Sequence, residues 1–96
     1  MTKAYLVAVY SKIIDPEKLK NYIEGADPAM NAYGAKPLAL GANISKLEGT
    51  PPERAVILEF ESVEAAQKAF QSHEYQAARE ILEGGVERVL FVIEGI

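Results

Sequence analysis

Every position of Ala4–Tyr10 (AYLVAVY) is apolar or aromatic, so the segment has no solvent face and predicts a strand covered on both sides. Asp15-Pro16-Glu17 then carries the marks of a helix start: an N-capping acid, proline at the first helical position and an acid in the first turn. Leu19, Tyr22, Ile23, Ala26, Met30 and Tyr33 recur at three- and four-residue steps and fall on one helical face. Pro28, following Asp27, predicts a kink or a fresh turn, and Gly34 suits the left-handed residue that ends a helix. Next, Leu38, Leu40, Ala42 and Ile44 alternate with Ala39, Gly41, Asn43 and Ser45, the spacing of a half-buried strand. The turn-rich Glu48–Glu53 (EGTPPE) breaks it, and Arg54–Phe60 (RAVILEF) returns as its antiparallel partner. Ser62 can cap a second helix that turns Val63, Ala66, Ala69 and Phe70 inward, and Ser72 can cap again, so this helix is expected to step or restart. Gly84-Gly85 ends it, and Val86–Ile93 is the last strand.

The order β-α-β-β-α-β is the ferredoxin-like arrangement: one α+β domain over residues 1–96, with a four-stranded antiparallel sheet. Two helices cover one face of such a sheet, and the other should be polar in a monomer. Instead Tyr5, Val7 and Val9 alternate with Leu6 and Ala8. Val56, Leu58 and Phe60 alternate with Ala55 and Ile57, and Leu90 and Val92 with Val89, Phe91 and Ile93. Each large side chain left bare would forgo about 1.5–3 kcal/mol of burial. A second copy is therefore expected over the open face, giving a homodimer with two sheets packed face to face, an arrangement able to enclose a cavity.

Composition narrows the setting. The chain has 96 residues, 49% hydrophobic and 25% charged, enough for one core and no more. A net charge of −4 without a basic patch points away from nucleic acid. The absence of cysteine removes thiolate chemistry and cysteine metal sites and fits a reducing compartment. The apolar N-terminal run is too short to span a membrane, and no cleavage site follows it, so the cytoplasm is the expected location.

With these segments in place, the sequence resembles the bacterial family known as domain of unknown function 1330, in the dimeric α/β-barrel superfamily. The resemblance rests on Tyr33-Gly34-Ala35-Lys36, Leu47-Glu48-Gly49, the run from Arg54 to Ser62, Ala66, Phe70-Gln71-Ser72-His73-Glu74-Tyr75-Gln76, Arg79 and Glu94-Gly95. It implies a ferredoxin-like subunit in a two-fold dimer and no particular activity. The family pattern has a second glycine where Ala35 stands and an aromatic or apolar residue in place of Pro37, so the second strand is expected to start later or to bulge. Members often carry proline at the position of His73.

That substitution bears on the chain's only histidine. If Ser72 caps, His73 is the first helical residue, where proline is favoured and a charged imidazole would face the helix's positive end. It reads as an exposed helix-start residue before a general acid or base, and one histidine without a second or a cysteine makes no metal site. Tyr75 and Arg79, four apart, share a helical face and could together hold a carboxylate or an enolate-like oxygen. The structural alternative packs the Tyr75 ring on the sheet and pairs Arg79 with Glu83. Arg54, at the head of its strand, could anchor the hairpin loop. Residues such as Tyr5, Tyr22, Tyr33 and Phe70 are most often core, though a tyrosine-lined cavity would suit a flat aromatic ligand. No glycine-rich phosphate loop is present, and Ser11, Ser45 and Thr50 have no histidine partner nearby in sequence.

The leading expectation is a small-molecule binding module without a cofactor. Its pocket would lie between the sheet and the second helix, lined by Tyr75, Arg79, Tyr5, Tyr33, Phe70 and His73. The alternatives are a cofactor-free monooxygenase- or isomerase-like enzyme, by analogy of fold, and a structural or regulatory dimer without ligand.

Overall fold

The computed structural model describes residues 2–96. Its elements are β1 (Ala4–Ile13), α1 (Pro16–Ala32), β2 (Lys36–Gly41), β3 (Arg54–Phe60), α2 (Val63–Gln71), α3 (His73–Leu82) and β4 (Val86–Glu94). The sheet runs β2-β3-β1-β4 with every neighbouring pair antiparallel, which is the ferredoxin-like topology.

Local chemistry sets the boundaries. Asp15 caps α1 through its carboxylate, which accepts from the amides of Glu17 and Lys18 (3.1 and 3.2 Å). Pro28 sits within α1 without ending it; the proline and the residue four before it, Glu24, both face solvent, where water can satisfy the carbonyl that loses its partner. Ser72 separates α2 from α3 and serves both: its Oγ donates to the Ala69 carbonyl at 2.8 Å and accepts from the Tyr75 amide at 3.2 Å. The restart expected at Ser72 is thus present.

The second strand differs from its expected span. It begins at Lys36 and stops at Gly41, with a register shift between Pro37 and Ala39. Ala42 and Ile44 lie outside it despite their alternation. Extending β2 past Gly41, which pairs with Ala55, would bring it opposite Pro51 and Pro52, and prolines offer no N–H to a ladder. Gly41 itself, at φ 129°, turns the chain away in a conformation closed to other residues.

The alternation along the sheet divides the faces as expected. Ala4, Leu6, Ala8 and Tyr10 point to the helices with Leu58 and Phe60 and form the core with Tyr22, Met30, Tyr75 and Leu82. Tyr5, Val7 and Val9 pair across the other face with Ile57 on one side and Phe91 and Ile93 on the other. On that face Val89, Phe91 and Ile93 are 62%, 44% and 55% exposed, so a broad apolar surface stands in water.

Candidate functional site

The helices do not cover the inner face evenly. α1 packs chiefly on α3, with Gly25 so close to Ala78 that a Cβ there would meet the alanine methyl at 3.1 Å. On the side of β2 and β3 this leaves a cleft of about 290 Å³ under α1. Its walls are mostly apolar: Leu6 and Ala8 of β1, Ile23 and Met30 of α1, Val56 and Leu58 of β3. Asp27 and Asn31 stand along α1, Arg54 lies on the sheet side, and Tyr10, Tyr22 and Tyr75 also line the cleft. The volume is close to the lower bound for a small-ligand site, about 300 Å³.

The three tyrosines are organised by one arginine. Tyr22 and Tyr75 hydroxyls lie 2.7 Å apart. Arg88 Nη1 donates to the hydroxyls of Tyr10 (3.2 Å) and Tyr22 (3.1 Å), and Nη2 donates to that of Tyr75 (3.2 Å). The guanidinium also lies over the rings of Tyr10 and Tyr22, 5.6 and 5.1 Å from their centroids, and the Tyr22 and Tyr75 rings meet edge to face. Backbone contacts bring these elements into register. The Gly85 carbonyl accepts from the amides of Ile14 and Asp15, tying the start of α1 to the start of β4, and Lys18 Nζ reaches the Glu83 carbonyl at 3.0 Å.

Burial, with Tyr75 alongside, pushes the Tyr22 phenol well above the ordinary tyrosine range despite the nearby Arg88 charge. Burial works against the charge on Arg88, but the surrounding tyrosine oxygens outweigh it and the group is displaced upward, so the guanidinium stays cationic. The cluster is therefore a fixed positive charge bound by three phenol oxygens.

Arg54 is different. It pairs across β1 with Tyr10, which pairs in turn with Arg88, so the three form one row across the helix-covered face. Its guanidinium carbon lies 5.8 Å from the Tyr10 ring centroid. Its Nε–H is buried without a hydrogen-bond partner among the described residues, a situation that costs about 1–3 kcal/mol, more for a charged group. The hairpin loop is held by Glu53, whose amide donates to the Tyr10 carbonyl (2.8 Å) and whose carboxylate accepts from the Ile13 amide (2.7 Å). Anchoring, the role expected of Arg54, belongs to its neighbour.

The residues singled out in sequence are not gathered in one place. Tyr75 is fully buried and lines the cleft, with the Phe70 ring tilted against it at 5.4 Å. Phe70 itself lines a different hollow, beside α2 and β4. Arg79 does not meet the Tyr75 hydroxyl: it donates to Gln76 at 3.2 Å and lies over the Phe70 ring, and Arg88 takes the phenol instead. Arg79 and Arg88 line a separate hollow of about 440 Å³, rimmed by Glu80 and Glu83 at the end of α3. Charged side chains make up most of that hollow's lining, whereas the cleft is mostly apolar, so the cleft is the stronger candidate. Tyr5 is on the open face, hydrogen-bonded to Glu59 at 3.2 Å, Tyr33 is exposed at the end of α1, and His73 is exposed at the first position of α3. The cleft lies between the sheet and the first helix; the expected place, between the sheet and the second helix, holds the hollow of about 330 Å³ that Phe70 lines and that Tyr75 and Arg79 do not. The spacing of four that motivated the Tyr75–Arg79 pair fixes only a shared helical face, and that face turns Tyr75 inward while Arg79 remains at the rim.

Sequence reasoning missed Arg88 and gave Tyr10 no role beyond its strand. A signal was present. Arg88 has the parity of Leu90 and Val92, and Arg54 that of Val56 and Leu58, so both arginines fall on the helix-covered face. Among the described residues no three of His, Asp and Glu converge as a metal site would need.

Comparison with solved structures shows the same fold in other proteins. No functionally curated protein matches the sequence significantly. A protein of unknown function from Rhodopseudomonas palustris is similar with a TM-score of 0.82 at 16% identity, over 99% of this chain and 83% of that one. A dimeric ferredoxin-like protein of unknown function from Thermobifida fusca gives 0.67 at 15% identity, over 97% and 91%. SnoaB, a cofactor-independent oxygenase from Streptomyces nogalater, gives 0.69 at 6% identity, over 97% and 92%. Among the described residues no helix is long and apolar enough to cross a membrane. The family model for the domain of unknown function DUF1330 matches residues 3–96, and the chain belongs to that family.

Proposed function

We propose that this chain forms a homodimer through the open face of its sheet, and that each subunit binds a small, mostly apolar molecule in the cleft under α1. The observation that carries the reading is the cleft itself: apolar walls, about 290 Å³, and polar groups confined to a few positions, among them the tyrosine hydroxyls held by Arg88. Pairing of sheets leaves this cleft free, because it lies on the opposite side. The Thermobifida relative described as dimeric supports the assembly, and the bare Val89, Phe91 and Ile93 give it a driving force. The setting we propose is the cytoplasm, which suits a chain with no cysteine.

A second reading is a cofactor-free oxygenase or isomerase. It is favoured by the convergence of three phenols on one cation, which can stabilise a developing oxyanion, and by the activity named for SnoaB. Thermal-shift screening against small aromatic acids and quinols tests binding, and oxygen uptake with any hit tests the enzyme. Binding compounds should raise the melting temperature of the wild-type protein, while Ala26→Phe, which fills the cleft from α1, should abolish the shift. An Ala26→Phe protein that folds and responds as the wild type does would refute the cleft.

A further inference from the structure

We propose that the cleft's ligand carries a carboxylate, that Arg54 receives this head group, and that Arg54 sets the preference for acids over neutral molecules of the same shape. This rests on the cleft reading above and specifies its ligand class.

Two cations lie on the helix-covered face, Arg54 and Arg88, on either side of Tyr10. The one ion pair among the described residues joins Lys3 and Glu61, so neither arginine has a carboxylate within 4.0 Å. Arg88 is nevertheless satisfied, since three phenol oxygens accept from it. Arg54 lines the cleft with a buried, unmatched N–H. A guanidinium offers parallel donors that match the two oxygens of a carboxylate, and the desolvated setting strengthens such a bond. The rest of the lining is apolar and suits an aliphatic or aromatic body. Asp27 is the one acid lining the cleft; it is exposed on α1 and solvated, so it leaves the charge on Arg54 uncompensated. A cationic ligand would have to approach Arg54 across the same small space. A neutral alcohol offers that N–H a single uncharged acceptor, without the second oxygen or the charge of a carboxylate.

The test compares matched pairs on the full chain: octanoate with octan-1-ol, and 4-phenylbutanoate with 4-phenylbutan-1-ol, by isothermal titration calorimetry at low salt. For wild type the acid of at least one pair should bind at least about tenfold more tightly than its alcohol, as expected for one charge-assisted bidentate contact. In Arg54→Met that ratio should fall towards one, through weaker acid binding with alcohol binding retained, and Arg54→Lys should fall between. Equal binding of acid and alcohol by the wild type, or an acid preference that survives Arg54→Met, would overturn the assignment while leaving the cleft as a binding site. Binding of no member of either pair would overturn the assignment together with the cleft reading. The wild-type comparison needs no variant, so equal binding of acid and alcohol overturns the assignment even if the Arg54 variants fold poorly.

Discussion

The hydroxyls of Tyr22 on α1 and Tyr75 on α3 stand 2.7 Å apart, and each also accepts a hydrogen bond from Arg88 of β4. The first helix is therefore joined to the consecutive elements α3 and β4 at one buried point. Because the donors and acceptors are shared, the energies should not be separable.

Tyr22→Phe and Tyr75→Phe should each lower stability by about 1–3 kcal/mol, the range for leaving buried polar partners unmatched. The double variant should lose less than the sum, by about 0.5 kcal/mol or more, since either change alone breaks the shared bond. Urea unfolding of the four proteins measures the cycle, and strict additivity would mean that the hydroxyls do not interact.

Stability should also respond to alkali in a way that identifies Tyr22. Its phenol is displaced upward from an ordinary value of 10.0, first by burial and then by Tyr75. Above pH 10 the unfolded chain releases a proton that the folded chain keeps, so the contribution is complete below that pH and declines as pH rises. The slope should approach about 1.4 kcal/mol per pH unit. In Tyr22→Phe this component should vanish and the profile above pH 10 should flatten.

Much of this architecture was legible from alternation alone, because both helix-side and open-side residues of β1, β3 and β4 declare themselves by parity. The end of β2 was not: the alternation from Leu38 to Ile44 continues beyond the point where the partner strand can offer amides, and the limit is set by Pro51 and Pro52 elsewhere in the chain. The candidate site was only partly legible. Tyr75 was found for a local reason, its spacing from Arg79, but its true partner is 13 positions away on another element. Arg88 would have required noticing that a charged residue shares the parity of the core. The position of the cleft follows from α1 leaning on α3, a relation between helices that neither helix's own periodicity encodes.

Ser72 offers a test of how α3 is held. Ser72→Ala removes the cap of α3: the Tyr75 amide loses its side-chain acceptor, and the Ala69 carbonyl keeps only the backbone amide of residue 72. A loss of about 1–2 kcal/mol is expected by thermal or urea denaturation. Ser72→Asp should restore part of it through the cap, although it cannot donate to Ala69 when ionised.

Close approach of α1 to α3 depends on Gly25. Gly25→Leu would drive a side chain into Ala78, separate the helices and strain the Tyr22–Tyr75 bond. Overpacking of this kind costs about 1–3 kcal/mol. Combined with Tyr22→Phe, the change should cost less than the separate losses predict, because the bond it strains would already be gone.

The claim on which the account chiefly depends is that a second copy covers the apolar open face. Sedimentation equilibrium at micromolar concentration tests it directly. The wild-type chain of 10.5 kDa should sediment at twice that mass, and Phe91→Lys, which places a charge at the centre of the bare strand, should sediment as a folded species of 10.5 kDa. A wild-type protein that stays folded and monomeric under these conditions would contradict it.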